Sequence, residues 1–287
     1  MQLEELLSEG VKKEGFFYKR EDYISPIKNW DALSAENHMH AAVSAKDETS
    51  EAKKSEYAVD KLIKELENGY ILDLGCGYGR LEKYVLKQRV FNGWIGLDSS
   101  ANMLDIFNRR YSAEPDEQRT PLFLINSDIN QIPLKDAVVD NVIVSAVFLH
   151  NPKEYTKKSL EEVYRVMKPG GKIFIFSNFP NANSLLGLEG NAYLWLLKLL
   201  GKQDKNGPVR YFNPREVERM FSQFTSVNII KYGFQVIPKT IIGLPEIINQ
   251  AYRAIIANPL NYLFERILPQ SIKQKYFFTH IDLVATK

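Results

Sequence analysis

A glycine-rich segment in the first third of the chain is the clearest candidate for chemistry. It reads Asp73-Leu-Gly-Cys-Gly-Tyr-Gly-Arg80 and begins within a short apolar run, residues 70–74, that predicts a buried strand. Glycines let the backbone turn tightly and approach a nucleotide-like ligand, although a plain strand-to-helix turn uses the same residue type. The dinucleotide fingerprint G-x-G-x-x-G needs its third glycine at position 80, where this chain has arginine. The spacing is instead G-x-G-x-G, with an acid two residues before the first glycine.

Further polar residues follow the next predicted strands. Asp98 ends the second strand, Asp128 follows the third, Ser145 closes the fourth, and His150 comes just after it. In open α/β sheets, ligands bind outside the carboxyl ends of the strands. We therefore expect the functional side chains to lie at that edge of the sheet.

This order of motifs resembles that of the class I S-adenosylmethionine-dependent methyltransferases, and most closely the broad methyltransferase type 11 group, whose members act on many small molecules. The resemblance covers residues 57–180. It implies S-adenosyl-L-methionine as the cofactor, with Asp98 on the ribose and with Asp128 and Ile129 around the adenine. The cofactor-binding residues that it implies are Asp73, Gly75, Cys76, Gly77, Arg80, Asp98, Ser99, Met103, Asp128, Ile129 and Ser145.

Apolar runs and helical patterns alternate from residue 70 onward. Strands without internal polar alternation, joined by helices, predict an α/β fold with a doubly wound parallel sheet covered on both faces. The family resemblance implies a Rossmann-like sheet of about seven strands, with residues 281–284 as an inserted antiparallel strand. The predicted strands are 70–74, 94–97, 122–125, one within 138–147, 173–176, 227–230 and 281–284, and helices are predicted at 80–88, after Ser99 or Ser100, and at 154–167.

The composition limits the classes of protein to consider. The chain has 287 residues, of which 45% are hydrophobic and 25% charged, as in ordinary globular proteins. A net charge of +2 argues against nucleic acid as a partner. The single cysteine, Cys76, excludes an internal disulfide and a multi-cysteine zinc site, and no metal is expected. The acidic N-terminus is no secretory signal, and charged residues or prolines interrupt the apolar runs, so we expect a cytoplasmic protein without a transmembrane segment.

Three segments fall outside the regular alternation. Residues 1–55 form an N-terminal segment, and insertions at about 181–212 and 238–272 interrupt a methyltransferase domain over 56–287. Because a donor site at the edge of a sheet is open to water, we expect these segments to cap the acceptor pocket. Those parts would then choose the small-molecule substrate.

Aromatic and aliphatic residues support the expected cap. Trp30, Tyr193 and Tyr211 are candidates to line the pocket. The apolar stripe of the second insertion favours a helix packed on its own domain, while a lid, a homodimer face and a membrane-surface helix stay open. Its members are Leu244, Ile247, Ile248, Tyr252, Ile255 and Ile256.

Methyl transfer does not require strongly catalytic side chains. Methyl transfer from a sulfonium is an in-line displacement, in which positioning of donor and nucleophile supplies much of the rate. A hydroxyl or ammonium acceptor must also lose a proton, and His150 is the candidate catalytic base, with a structural role as the alternative. The methylated atom, oxygen, nitrogen or carbon, stays open. Two alternative functions are an NAD-dependent Rossmann oxidoreductase, which Arg80 argues against, and a non-catalytic S-adenosylmethionine-binding protein.

Overall fold

The computed structural model describes residues 3–23, 60, 64–113, 120–202, 209–241 and 244–287, and nine strands within them form one mixed sheet. The strands are β1 (Val11–Glu14), β2 (Phe17–Arg20), β3 (Tyr70–Leu74), β4 (Gly93–Asp98), β5 (Leu122–Asn126), β6 (Val139–Ser145), β7 (Met167–Pro180), β8 (Ser226–Tyr232) and β9 (His280–Thr286). Their order across the sheet is β1-β2-β5-β4-β3-β6-β7-β9-β8. Trp30, one of the predicted lining residues, lies outside the described residues.

The central strands β3 to β7 are parallel, which confirms the predicted α/β class. All five residues of β3 are buried, because the strand has helices over both of its faces. Successive side chains of a strand point to opposite faces, so Ile71 joins one apolar cluster and Leu72 the other. The predicted antiparallel strand is also confirmed, since β9 lies between β7 and β8 and is antiparallel to both.

Two strands more than the expected seven come from the N-terminal segment. β1 and β2 form a hairpin, and β2 pairs in parallel with β5, with Phe17 opposite Leu124 and Lys19 opposite Asn126. This corrects the expectation of a cap for residues 11–20, which extend the sheet instead. Within the N-terminal segment, the cap prediction now concerns residues 24–55, which lie outside the described part of the chain, and for the two insertions it stays a prediction.

Helices cover both faces of the sheet. The α-helices of the described residues are α1 (Glu82–Leu86), α2 (Ala101–Ser112), α3 (Lys153–Val166), α4 (Leu185–Leu199), α5 (Pro214–Met220), α6 (Glu246–Tyr252), α7 (Asn258–Ile267) and α8 (Gln270–Ile272). α1 and α2 contribute to one apolar cluster, while α3 and α5 contribute to the other. α1 is shorter than the helix predicted over 80–88, because the glycine segment continues as turns to residue 81.

The second insertion contains one long helix that changes its winding in the middle. α6 continues through a π-helical stretch, Arg253–Ala257, into α7, and we call residues 246–267 the outer helix. Pro259 explains the change, because proline has no N–H to donate to residue 255 and its ring crowds that carbonyl group. The amide of Asn258 donates instead to the carbonyl of Arg253, five residues back.

The apolar stripe of the outer helix faces solvent. Ile247 is 76% exposed and Ile255 is 74% exposed. The expectation that this stripe packs on its own domain was therefore wrong for these residues. No helix in the described ranges is long and apolar enough to cross a membrane.

A buried asparagine connects the end of β7 to the loop after β6. Asn178 is fully buried, and its Oδ1 accepts hydrogen bonds from the amides of Val147 and Phe148, each at 2.7 Å. Its Nδ2 donates to the carbonyl groups of Val144 and Phe176 at 2.8 and 2.7 Å. The two functional groups of one side chain thus fix the loop that leaves the carboxyl end of β6.

We predict that Asn178→Ala lowers the free energy of unfolding by about 2–5 kcal/mol, because buried backbone groups lose their partners. Chemical denaturation measures this change. Asn228→Ala on β8 is the matched control, since Asn228 is exposed, and it should change stability by less than about 0.5 kcal/mol. Equal stability of the two variants would contradict the role assigned to Asn178.

Candidate functional site

The glycine segment closes tightly against the end of β4. The amides of Gly75 and Cys76 both donate to the carbonyl of Leu97, at 2.8 and 3.0 Å. Gly79 has a φ of +75°, and a Cβ there would lie 2.2 Å from Cδ2 of Phe107. Gly77 has a φ of +54°, but a Cβ built on it meets no atom within 4 Å. Gly79 is therefore required by packing, whereas Gly77 borders open space.

Asp98 joins the first two motifs directly. Its Oδ2 accepts a hydrogen bond from the amide of Gly77 at 2.8 Å, and its Oδ1 accepts one from the amide of Ser100 at 2.9 Å. Ser100 caps α2, because its Oγ accepts from the amide of Met103 at 3.2 Å. Asn126, at the end of β5, donates from Nδ2 to the carbonyl groups of Asp98 and Ser99, both at 3.1 Å. Asp98 therefore connects the carboxyl ends of three strands. Its carboxylate bonds to the loop after β3, and its carbonyl group, at the end of β4, accepts from Asn126 at the end of β5.

Asp128 is held at the same edge by a residue that sequence reasoning missed. Its Oδ1 accepts from the amide of Asn130 at 2.8 Å, and its Oδ2 accepts from the hydroxyl of Tyr155 on α3. Burial and this hydrogen bond raise the pKa of Tyr155 above its usual range, so the phenol remains a donor. Ile129 beside it is buried. No motif singled out Tyr155, because its contact joins residues 27 positions apart.

A cationic side chain crosses from the glycine segment to β6. Nη2 of Arg80 donates to Oγ of Ser145 at 3.0 Å. The same guanidinium acts electrostatically on Asp73, a carboxyl group that is only 3% exposed. Burial raises the pKa of Asp73 to about 7, assisted by the negative charges of Asp98 and Glu82 and opposed by Arg80. The charge of the buried Asp73 carboxyl group therefore depends on pH near neutrality.

Cys76 and His150 differ in what they can do. Burial raises the pKa of the Cys76 thiol well above its usual range, so it is no nucleophile at neutral pH. His150 ends a short 3₁₀ turn, Phe148–His150, which follows the loop held by Asn178. Burial lowers the pKa of His150, so the imidazole is neutral at pH 7 and can accept a proton.

The predicted lining residues of the first insertion lie in different environments. Tyr211 packs against α4, since a Cβ at Gly190 would lie 1.9 Å from its hydroxyl oxygen. Tyr193 on α4 is 45% exposed. The role of both residues in the acceptor pocket stays a prediction.

The residues at this edge fit S-adenosyl-L-methionine. Gly77 leaves open space where a side chain would otherwise stand, and the Asp98 carboxylate lies directly beside it. A carboxylate oxygen can accept more than one hydrogen bond, so the amide bonds to Asp98 are compatible with further bonds from the hydroxyl groups of a ligand. Asp128, buried Ile129 and Ser145 follow on the neighbouring strands.

We predict a stability change between pH 4 and pH 7 that depends on Asp73. Its carboxyl group titrates near 4 when unfolded and near 7 when folded, so the folded state keeps a proton that the unfolded state has lost. Stability from this group is therefore present below pH 4 and is lost as the pH rises to 7, by up to about 4 kcal/mol. Asp73→Asn should flatten this slope, and Asp105→Asn on α2, whose aspartate is half-exposed, should not. Parallel denaturation profiles for wild type and Asp73→Asn would contradict the shifted pKa.

Comparison with known proteins agrees with this geometry. Residues 72–175 match the family described as a methyltransferase domain. A demethylmenaquinone methyltransferase from Lactobacillus johnsonii is 27% identical over 181 residues, which are 59% of this chain and 72% of that protein. One from Thermus thermophilus is 32% identical over 152 residues, 52% of this chain and 66% of that protein. A solved SAM-dependent methyltransferase from Archaeoglobus fulgidus has a TM-score of 0.53 at 17% identity, over 87% of this chain and 98% of that chain, and shows the fold.

The family match has clear limits along the chain. It begins in β3 and ends in β7, so it contains the glycine segment, Asp98, Asp128 and His150 but neither insertion. The motifs, the strand order and these relatives agree with one another. Residues 72–175 therefore form a methyltransferase domain, and the protein is an S-adenosylmethionine-dependent methyltransferase with S-adenosyl-L-methionine as its cofactor.

Proposed function

We propose that the protein transfers a methyl group from S-adenosyl-L-methionine to a small, apolar acceptor at the carboxyl edge of the sheet. The observation that carries this proposal is the contact of Asp98 with the Gly77 amide beside open space. It brings the glycine segment and the acid of the second strand together at the edge where Asp128 also lies. The bound cofactor supplies a methyl group bonded to a sulfonium sulfur. The neutral thioether that remains after the transfer is a good leaving group.

The side chains of this edge have distinct proposed roles. Asp98 would accept hydrogen bonds from the ribose hydroxyls, and its bonds to the Gly77 and Ser100 amides fix its orientation for that task. Asp128, held by Tyr155, would accept from the exocyclic amine of adenine, while buried Ile129 would contact the ring. The other proposed cofactor contacts are Asp73, Gly75, Cys76, Arg80, Ser99, Met103 and Ser145.

His150 is the proposed base for an acceptor that must lose a proton. Three observations support this role: its place after β6, its lowered pKa and the loop fixed by Asn178. A general base must be unprotonated before it can accept a proton, and the lowered pKa keeps the His150 imidazole neutral at pH 7. Positioning of the two reactants supplies the rest of the rate without further charged groups.

The acceptor class is proposed from two separate supports. The curated relatives named above are demethylmenaquinone methyltransferases, so an aromatic quinol of that kind is the first acceptor to test. The two insertions carry exposed apolar side chains and leave the sheet at its carboxyl edge, after β7 and after β8. The domain bounds 56–287, the cytoplasmic location and a homodimer stay predictions.

We predict that Asp98→Asn weakens S-adenosyl-L-methionine binding by about 10- to 150-fold, the value of a lost charge-assisted hydrogen bond. Isothermal titration on the folded variant measures this. Asp105→Asn, on the adjacent helix α2, should bind as wild type does. Unchanged affinity of folded Asp98→Asn would remove Asp98 from the cofactor site.

Turnover tests the proposal as a whole. The protein is incubated with methyl-labelled S-adenosyl-L-methionine and either a demethylmenaquinone-type quinol or a set of cell-extract metabolites, and labelled products are identified by mass spectrometry. We expect label in an apolar small molecule, together with S-adenosylhomocysteine. Binding of the cofactor without turnover on any acceptor would favour the non-catalytic alternative, and preferential binding of NAD would favour an oxidoreductase.

A further inference from the structure

Nearly all exposed large apolar side chains of the described residues belong to the two insertions. Seventeen of the eighteen lie between Leu188 and Tyr276, and the other is Val90. We call this set, which lies within residues 188–200 and 241–276, the apolar platform. Scattered exposed apolar residues are ordinary, whereas a concentration of this kind marks an interaction surface.

The outer helix is inverted with respect to an ordinary surface helix. It turns Asn249 and Asn261 toward the protein and leaves Ile247 and Ile255 in solvent. Asn261 fixes this orientation, since its Oδ1 accepts from the amides of Val236 and Ile237 at 2.8 and 2.9 Å. Asn249 has the same role near the N-terminal end of the outer helix, where its Oδ1 accepts from the amide of Ile241 at 2.8 Å.

The buried asparagines make the apolar orientation a property of the fold. Rotating the helix to bury its isoleucines would break both sets of hydrogen bonds and leave backbone groups without partners. The apolar face is therefore held outward, where water is an unfavourable neighbour for it.

α4 presents a second part of the same surface. Trp195 is 64% exposed and Leu199 is 62% exposed, and Gly187 is its single fully buried residue. Glu189 ties α4 to the second insertion, because its carboxylate accepts from Nε2 of Gln235 at 2.6 Å and from the amide of Thr240 at 3.1 Å.

The charges around the platform favour a partner that is both anionic and apolar. Residues 185–202, 237–241 and 244–277 contain seven Lys and Arg but three acids. Of these acids, Glu189 bonds within the protein and Glu246 pairs with Arg253. A symmetric dimer through this surface would place the same cationic excess opposite itself. A bilayer with anionic headgroups offers both an apolar interior and opposite charge.

We propose that the apolar platform docks on the surface of an anionic phospholipid bilayer, with the outer helix and α4 lying in the interface. Both insertions leave the sheet at its carboxyl edge, so docking places the proposed acceptor site beside the lipid. The proposal deepens the function proposed above by giving the source of an apolar acceptor, which would enter from the bilayer. Docking itself does not require that function to be correct.

Vesicle flotation of the full chain tests the docking. Phosphatidylcholine vesicles with and without phosphatidylglycerol are compared, at low and at high salt. We expect strong binding to the anionic vesicles, weaker binding to the neutral ones, and a loss at high salt because the charge attraction is screened. Equal binding to both kinds of vesicle, or none, would overturn the proposal.

Variants locate the binding surface. The exposed residues Trp195, Ile247 and Ile255 can each be changed to Gln with little cost to folding, and each change should reduce the partition coefficient about tenfold. Val90→Gln, an exposed apolar residue outside the platform, is the matched control and should bind as wild type does. Vesicle binding unchanged in the triple variant would overturn the proposal, as would a dimer of the wild type that the triple variant dissociates.

The two proposals fail separately. Cofactor affinity, measured without vesicles, should be unchanged in the triple variant, because none of its three positions belongs to the proposed cofactor site. Loss of vesicle binding with intact cofactor affinity confirms docking as a distinct property of the platform. Wild-type vesicle binding without turnover on any acceptor supports docking and contradicts the proposed function.

Discussion

The carboxylate of Asp98 is the interaction on which the site depends. It accepts from the Gly77 amide on one side and from the Ser100 amide on the other, so the loops after β3 and β4 are fixed by one side chain. Asn126 adds β5 through the carbonyl groups of Asp98 and Ser99. Because these bonds orient the carboxylate before any ligand arrives, little further ordering is needed on binding.

The buried side chain of Asn178 fixes the loop after β6, as Asp98 fixes the loops after β3 and β4. Asn178 satisfies all four of its hydrogen-bonding positions on the backbone near Val144 to Phe148 and at Phe176. Ala146 in this loop has a φ of +58°, a conformation that costs energy for a residue with a Cβ. Such strain persists where surrounding bonds over-determine it, and here it sets the direction in which the chain leaves β6 toward His150.

The two halves of the molecule have opposite relations to water. The sheet and helices α1 to α3 bury their apolar side chains in the ordinary way. The outer helix buries asparagines and exposes isoleucines, because Asn249 and Asn261 hydrogen-bond to the backbone at residues 236, 237, 241 and 244. The methyltransferase core therefore keeps its apolar side chains away from water, while the insertions leave many of theirs exposed.

The sequence by itself determined the glycine segment, the acids after consecutive strands and the parallel core, since each rests on short apolar runs or on turn residues. The antiparallel last strand was expected only from the family resemblance. The sequence did not determine the N-terminal hairpin, the Tyr155–Asp128 bond or the role of Asn178, because these join residues far apart in the chain. The sequence also did not determine whether the apolar stripe of the outer helix points toward the protein or toward solvent. Periodicity shows that apolar residues share a face of a helix, but only the hydrogen bonds of Asn249 and Asn261 decided that this face points outward.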